Sequence, residues 1–332
     1  MIRHEPEYEF HSVFAPYIQD YLALKASLDE KCVVHGNILR QFDRYCCEER
    51  IEKPLLSEML VSNWLITKCG EKQSTHGTRV SAMNCFSGYL NSVGQEVDWH
   101  PLPGYTSRNF RYAPYIYTKD ELTRVFKSAD SLHKPYGKSQ FHLVFPAVLR
   151  VLYGCGLRVA EALELRVKDV DLENGFLFIQ TAKFGKSRRI PISDSLLSYL
   201  RNYMQSNVSL IGMGCDNYFF PNAYGECYSQ RTVYDKFREI LWKSGIPHQG
   251  KGKGPRVHDF RHTFAVHALQ QNVEQGKDIY VALTGLMVYL GHSKITSTEY
   301  YLRLTAEIYP DFLQRADAVC AQVIPEVVQY EE

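Results

Sequence analysis

Apolar residues recur at helical spacing along the first part of the chain. Leu39, Phe42 and Cys46 fall on one stripe with Arg40, Asp43 and Arg44 between them, and Val80, Met83, Phe86 and Leu90 form another that ends at Gly94. Together with PYIQDYLALKASL and SEMLVSNWLITK, these stretches predict about four helices. The periodicity then breaks over 99–117, where Pro101, Pro103 and Pro114 alternate with Tyr105, Tyr112, Tyr115 and Tyr117; this reads as an extended linker. A new helix is expected from Thr118, because Thr118 and Glu121 have the spacing of a capping box ahead of Leu122, Val125 and Phe126. FHLVFPAVLRVLYGCGLRVAEALEL predicts two helices broken at Gly154-Cys155-Gly156, and GFLFIQTAKFGKSRRIPI predicts strand, basic turn, strand. Residues 203–230 fit no pattern; the remainder reads as helix with a loop at 247–257. The expected fold is therefore mainly α with a small β-sheet: a helical domain over 1–98, a linker over 99–117 and a mixed α+β domain over 118–332.

Composition adds little and excludes something. With 332 residues, 45% of them hydrophobic, the chain suffices for two ordinary domains. No run of about 18 apolar residues suggests a membrane span. The opening MIRHEPEYEF has no leader-like pattern, so a cytoplasmic protein is expected. The nine cysteines form no CxxC pair and read as reduced thiols, not as a zinc site. A net charge of +1 argues against a general polycation, so any nucleic-acid surface must be built from local clusters.

Four short stretches hold such clusters: GLRVAEALEL with Arg158, AKFGKSRRIPI with Lys183, HDFRHTFAVHAL with His258 and Arg261, and LGHSKITSTEYYLRL with His292 and Tyr301. Each alone reads as ordinary surface or core. Their order and spacing resemble the tyrosine recombinase (phage integrase) family. That family also places an Arg in a "GLR..E" turn, a Lys in a β-hairpin, then His-x-x-Arg, then LGH followed nine residues later by Tyr. The resemblance spans roughly 112–310. It implies a helical core-binding domain followed by a mixed α+β tyrosine-recombinase catalytic domain. It also implies a site-specific recombinase that cuts and rejoins DNA through a 3′-phosphotyrosine, with no cofactor, metal or ATP.

The residue types suit that chemistry. Attack on a phosphodiester builds negative charge on the non-bridging oxygens, and preorganised cations stabilise it. Arg158 and Arg261 present planar forks to phosphate. His258, one helical turn before Arg261, faces the same phosphate and could take or return the tyrosine proton. Lys183 on a mobile hairpin is the expected general acid for the leaving 5′-oxygen, with Lys186 as the runner-up. His292 would hydrogen-bond a non-bridging oxygen, and Glu161 would orient Arg158. Tyr301 is the expected nucleophile, its phenol pKa depressed by the cations. Tyr300 lies about 100° away on the same helix and is expected to pack.

Arg40, Arg44, Arg79, Lys186, Arg188 and Arg189 are candidate DNA-backbone contacts. The expected partners are double-stranded DNA with inverted-repeat core sites, further copies of the chain assembled as a tetramer on DNA, and possible accessory recombinases. Nothing before residue 10 resembles the arm-binding domain of many phage integrases. Phe312, Ala316, Val319 and Val323 share a helical stripe and are expected to dock on a neighbouring protomer. GKDIYVALTGLMVYLGH runs about four residues longer than the usual family segment, and YLGH with Tyr-Leu-Arg-Leu-Thr resembles recombinases encoded together on transposons. Two rivals use the same residues: a type IB topoisomerase-like enzyme, which relaxes DNA of any sequence, and an inactive DNA-binding regulator, which forms no covalent adduct.

Overall fold

The computed structural model of the chain describes residues 8–28, 33–100, 114–134, 139–180, 187–247, 254–292 and 294–309. The chain divides into two compact units, Met1–Tyr112 and Ala113–Glu332.

Among the described residues, the first unit holds four helices, α1 (Ala15–Ser27), α2 (Val33–Glu48), α3 (Glu58–Leu65) and α4 (Gln73–Ser92). Ser57 starts α3 by accepting a hydrogen bond from the Leu60 amide at 3.2 Å, as an N-cap does. The apolar stripes converge on an aromatic core in which Phe42 meets Phe14 at 5.5 Å and Trp64 edge-on at 5.3 Å. Two charged residues of these helices, Asp43 and Arg79, are buried. Asp43 is buried and accepts the amides of His11 and Ser12, each at 2.9 Å, so it pins the approach to α1.

Arg79, expected to contact DNA, is buried instead. Its guanidinium pairs with Glu71 at 2.9 Å, lies 4.4 Å over the Trp64 ring and donates to the Trp64 carbonyl. Removing one partner of a buried ion pair strands the other charge. Arg79→Ala should therefore cost about 3 kcal/mol of stability, read as earlier thermal melting. An unchanged melting curve with a weaker salt dependence of DNA binding would restore the original expectation. Arg40 and Arg44 are exposed on α2, the latter loosely paired with Glu48 at 3.5 Å.

The second unit contains α5 (Lys119–Asp130), α6 (Phe141–Gly154), α7 (Val159–Leu163), α8 (Asp194–Ser206), α9 (Val208–Ile211), α10 (Gln230–Lys243), α11 (Asp259–Glu274), α12 (Ile279–Leu290) and α13 (Thr296–Ile308). A small antiparallel sheet joins them in the order β1-β2-β3: β1 (Val170–Asp171), β2 (Phe176–Ile179) and β3 (Arg188–Pro191). The capping box at Thr118 is formed, with Thr118 Oγ1 accepting the Glu121 amide and Glu121 accepting the Thr118 amide. Leu177, Ile179 and Ile190 turn the sheet's apolar face to the core. Helix α11 runs through the middle, packed against α6, α12 and α13. Its Phe260 is stacked between Tyr117 and Phe126 at 5.0 and 6.2 Å.

Three features differ from the sequence reading. Trp99 and Tyr117, at the two ends of the expected linker, are core residues: Trp99 donates to Asn84 at 3.2 Å, and the Tyr117 amide donates to Thr263 at 3.1 Å. The middle of that stretch, 101–113, lies outside the described residues. β1 was not expected. The unplaced stretch 203–230 is anchored by buried Phe219 and Phe220, with the Tyr203 hydroxyl donating to the Phe219 carbonyl at 3.1 Å. The segment expected to dock on a neighbour, 312–323, lies outside the described residues. Among those described, no helix is long and apolar enough to cross a membrane.

Candidate active site

Three turns bring the site together. The first follows α6, where Gly156 adopts φ +58° and a Cβ there would stand 2.4 Å from the Phe264 ring; no side chain fits. This bend delivers Arg158 to the start of α7. The second precedes α11, where Asp259 accepts the Arg256 amide at 2.8 Å and sets His258 at the helix start. The third closes α12: Gly291 takes the left-handed conformation and the His292 amide returns to the Met287 carbonyl at 3.0 Å.

At the centre lies Glu161, whose side chain is 9% exposed. Its carboxylate accepts Arg158 Nη1 at 2.7 Å, accepts both terminal nitrogens of Arg188 at 2.8 and 3.1 Å, and lies 3.9 Å from Arg261 Nη1. Burial opposes its charge. The bond from Arg188, the Arg158 amide and the neighbouring guanidiniums outweigh burial and hold the carboxyl below the usual range. Three guanidinium charges thus face one carboxylate, which leaves an excess of positive charge.

The arginines divide their work. Arg158 stays 40% exposed and open to a ligand. Arg188 does not: its Nε donates to the Tyr289 carbonyl at 3.0 Å while its fork grips Glu161. Arg188, expected to grip DNA, instead has three of its five N–H donors engaged inside the protein, and its side chain is 11% exposed. Arg261 is buried, with Nη1 donating to the Gly156 carbonyl at 2.8 Å and Nη2 to the Leu290 carbonyl at 2.6 Å. Burial, then the Arg158 charge, lowers its pKa to about 10, so it remains charged. On β3 the side chains alternate. Arg189 therefore faces away from Arg188, exposed, with its guanidinium 3.7 Å over the Phe176 ring.

Arg261 Nη2 also meets His292 Nε2 at 3.2 Å. Because Arg has no acceptor, that imidazole nitrogen must be unprotonated. Nδ1 then carries the hydrogen and donates to the buried Thr298 hydroxyl at 2.8 Å. Burial and the Arg261 charge keep His292 neutral, its pKa lowered to about 4. His258 is exposed at the start of α11. Crowding by surrounding protein and then the Arg261 and Arg158 charges lower its pKa as well.

Tyr301 on α13 is 3% exposed, its ring parallel to that of His292 at 6.0 Å. The adjacent Tyr300 packs at the edge of the apolar cluster. Burial raises the Tyr301 pKa despite the Arg261 and Arg158 charges, which pull it down. This reverses the sequence expectation, because the same packing that brings the cations near also removes water. The Tyr301 hydroxyl lies 3.1 Å from Nδ1 of His262, a residue that sequence reasoning passed over. Its one signal was position: His262 lies one turn after His258, on the face already assigned to chemistry. Lys183 and Lys186 lie outside the described residues.

The model of the phage integrase family matches residues 117–307. The tyrosine recombinase XerC of Escherichia coli O157:H7 is 30% identical over 227 residues, which cover 68% of each chain. A tyrosine recombinase of Pseudothermotoga lettingae is 25% identical over 291 residues, covering 86% of this chain and 91% of that one. The structure resembles a lambda integrase(75–356) dimer bound to a COC′ core site, with TM-score 0.61 and 17% identity over 86% of this chain and 94% of that one.

Proposed function

The chain belongs to the phage integrase family of tyrosine recombinases, and from that premise we propose that it is a site-specific DNA recombinase with Tyr301 as its nucleophile. The observation that carries the reading is the Tyr301 hydroxyl, held against His262 and His292 beside the Arg158–Glu161–Arg188–Arg261 cluster. The phenol oxygen attacks phosphorus, and a 3′-phosphotyrosine forms as the 5′-oxygen leaves. Arg158 and Arg261 stabilise the doubly negative five-coordinate state. Lys183 protonates the leaving oxygen. A phosphate oxygen that takes the Arg261 bond frees His292 Nε2; the phosphate charge offsets the arginines, so Nε2 takes a proton from solvent and donates to that oxygen. Glu161 and Arg188 hold the two phosphate-facing arginines in place.

The partner is double-stranded DNA with inverted-repeat core sites, exchanged within a tetramer and with accessory recombinases where the element encodes them. The biological role is integration, excision or transposition of a mobile element. Because the tyrosyl ester conserves the energy of the broken bond, the reaction needs neither nucleotide nor metal. The 332-residue chain, given a nicked duplex that it has itself selected from a random pool, should form a covalent adduct in EDTA. Peptide mapping should place the phosphate on Tyr301. A strict magnesium requirement would sink the mechanism, and relaxation of any supercoiled plasmid would point to a topoisomerase.

A further inference from the structure

Attack by Tyr301 requires a group to receive the phenolic proton, and the sequence offered His258. The structure favours a different residue. Among the described contacts, the His258 ring meets the His262 ring edge-on at 4.9 Å, and none joins it to Tyr301. Nδ1 of His262 lies 3.1 Å from the Tyr301 hydroxyl. Arg261 also approaches that hydroxyl, but a guanidinium has donors alone. The His292 ring presents its face, since its own nitrogens are engaged with Arg261 and Thr298. The acceptor for the phenolic hydrogen is therefore Nδ1 of His262, with the His262 hydrogen on Nε2.

We infer that His262 is a catalytic residue of the proposed recombinase, the base that takes the proton of Tyr301 as the tyrosine attacks. This rests on the recombinase reading above. In the step, the Tyr301 oxygen–phosphorus bond forms and the phosphorus–5′-oxygen bond breaks. The phenolic proton moves to His262 Nδ1, and the leaving oxygen takes a proton from the general acid, Lys183. Rejoining returns both protons.

The electrostatics time this transfer. The groups facing His262 are His258 and Arg261 from its own helix, His292 from the turn after α12 and Tyr301 from α13. Burial first, then His258, Arg261 and His292, lower its pKa to about 3, so the resting imidazole is neutral and its Nδ1 is ready to accept. That same field makes it a weak base while the site is empty. A bound diester brings one negative charge and the five-coordinate state a second, which offset the arginines and stabilise an imidazolium. The base thus gains strength as the phosphate arrives.

The test uses the full chain and the self-selected nicked duplex, with sulfur replacing the 5′-bridging oxygen. A thiolate leaves without protonation, so the rate reports nucleophile activation and not the general acid. His262→Gln and His262→Ala should each form adduct about 100-fold more slowly than wild type at neutral pH. Both variants should then gain about tenfold per pH unit as hydroxide replaces the base, while wild type stays nearly flat. Fluorotyrosine at position 301, which ionises more readily, should restore much of the His262→Gln rate.

His262→Gln at the wild-type rate would show that the hydrogen bond positions without accepting a proton, and would overturn the proposal. Faster attack in His262→Ala would overturn it too, as a tether and not a base. Should the alanine variant misfold, the glutamine and fluorotyrosine measurements decide alone. A wild-type protein that forms no adduct on its selected duplex would overturn the recombinase reading itself, whatever His262 does.

Discussion

Tyr301→Phe should leave duplex binding intact and abolish the covalent adduct, a loss of about 10⁴-fold or more, while Tyr300→Phe should retain most of the activity. The two hydroxyls are neighbours in sequence and differ in environment. That of Tyr301 meets His262 at 3.1 Å, and its ring is buried alongside His292. Tyr300 is part of the apolar packing against α11 and α12, so losing its hydroxyl removes no group from the cluster. Binding should survive in both variants because phosphate contacts, which dominate affinity for DNA, come from cations. The assay is denaturing gel detection of the adduct on a nicked duplex. Adduct that survives Tyr301→Phe and disappears in Tyr300→Phe would reverse the register.

Glu161→Gln should destabilise the second unit by about 3 kcal/mol and slow adduct formation about 100-fold. The amide matches the carboxylate in shape, but it turns one acceptor into a donor aimed at guanidiniums that have donors alone. Arg158 loses its orienting bond, Arg188 its bidentate partner, and Arg261 its nearest negative charge. The pH dependence has a definite sign. The folded carboxyl lies below its ordinary value, so its contribution is complete above the unfolded pKa, about 4.3, and fades as pH falls toward the lowered value. Thermal melts of wild type and Glu161→Gln should therefore differ most near neutrality and converge on acidification. Equal stability at all pH values would mean that the arginine cluster holds without its carboxylate.

Local rules were legible in the sequence. The capping box at Thr118, the break at Gly154–Gly156 and the pairing of β2 with β3 depend on neighbours a few residues apart, and all three are present. The family match over 117–307 and the mainly helical fold with its small sheet agree with the resemblance drawn from the motifs. What could not be read was burial of charge. Arg79 and Arg188 look in sequence like any surface cation; only the fold sets Glu71 and Trp64 beside one, and Glu161 and the Tyr289 carbonyl beside the other. His262 was missed for the same reason. Its partner Tyr301 is distant in sequence and meets it through the packing of α11 on α13.

Arg261 already donates to two backbone carbonyls and to His292 before any substrate arrives. A resting diester, with one negative charge, gains little by competing for donors already engaged at 2.6–3.2 Å. The five-coordinate species carries twice that charge and competes far better. In the proposed recombinase, attraction would thus be withheld from the bound substrate and released at the barrier, raising turnover without tightening the grip on DNA. On the proposed reading, recognition of a site would rest on other contacts, and Arg261 would respond chiefly when a bond is being exchanged.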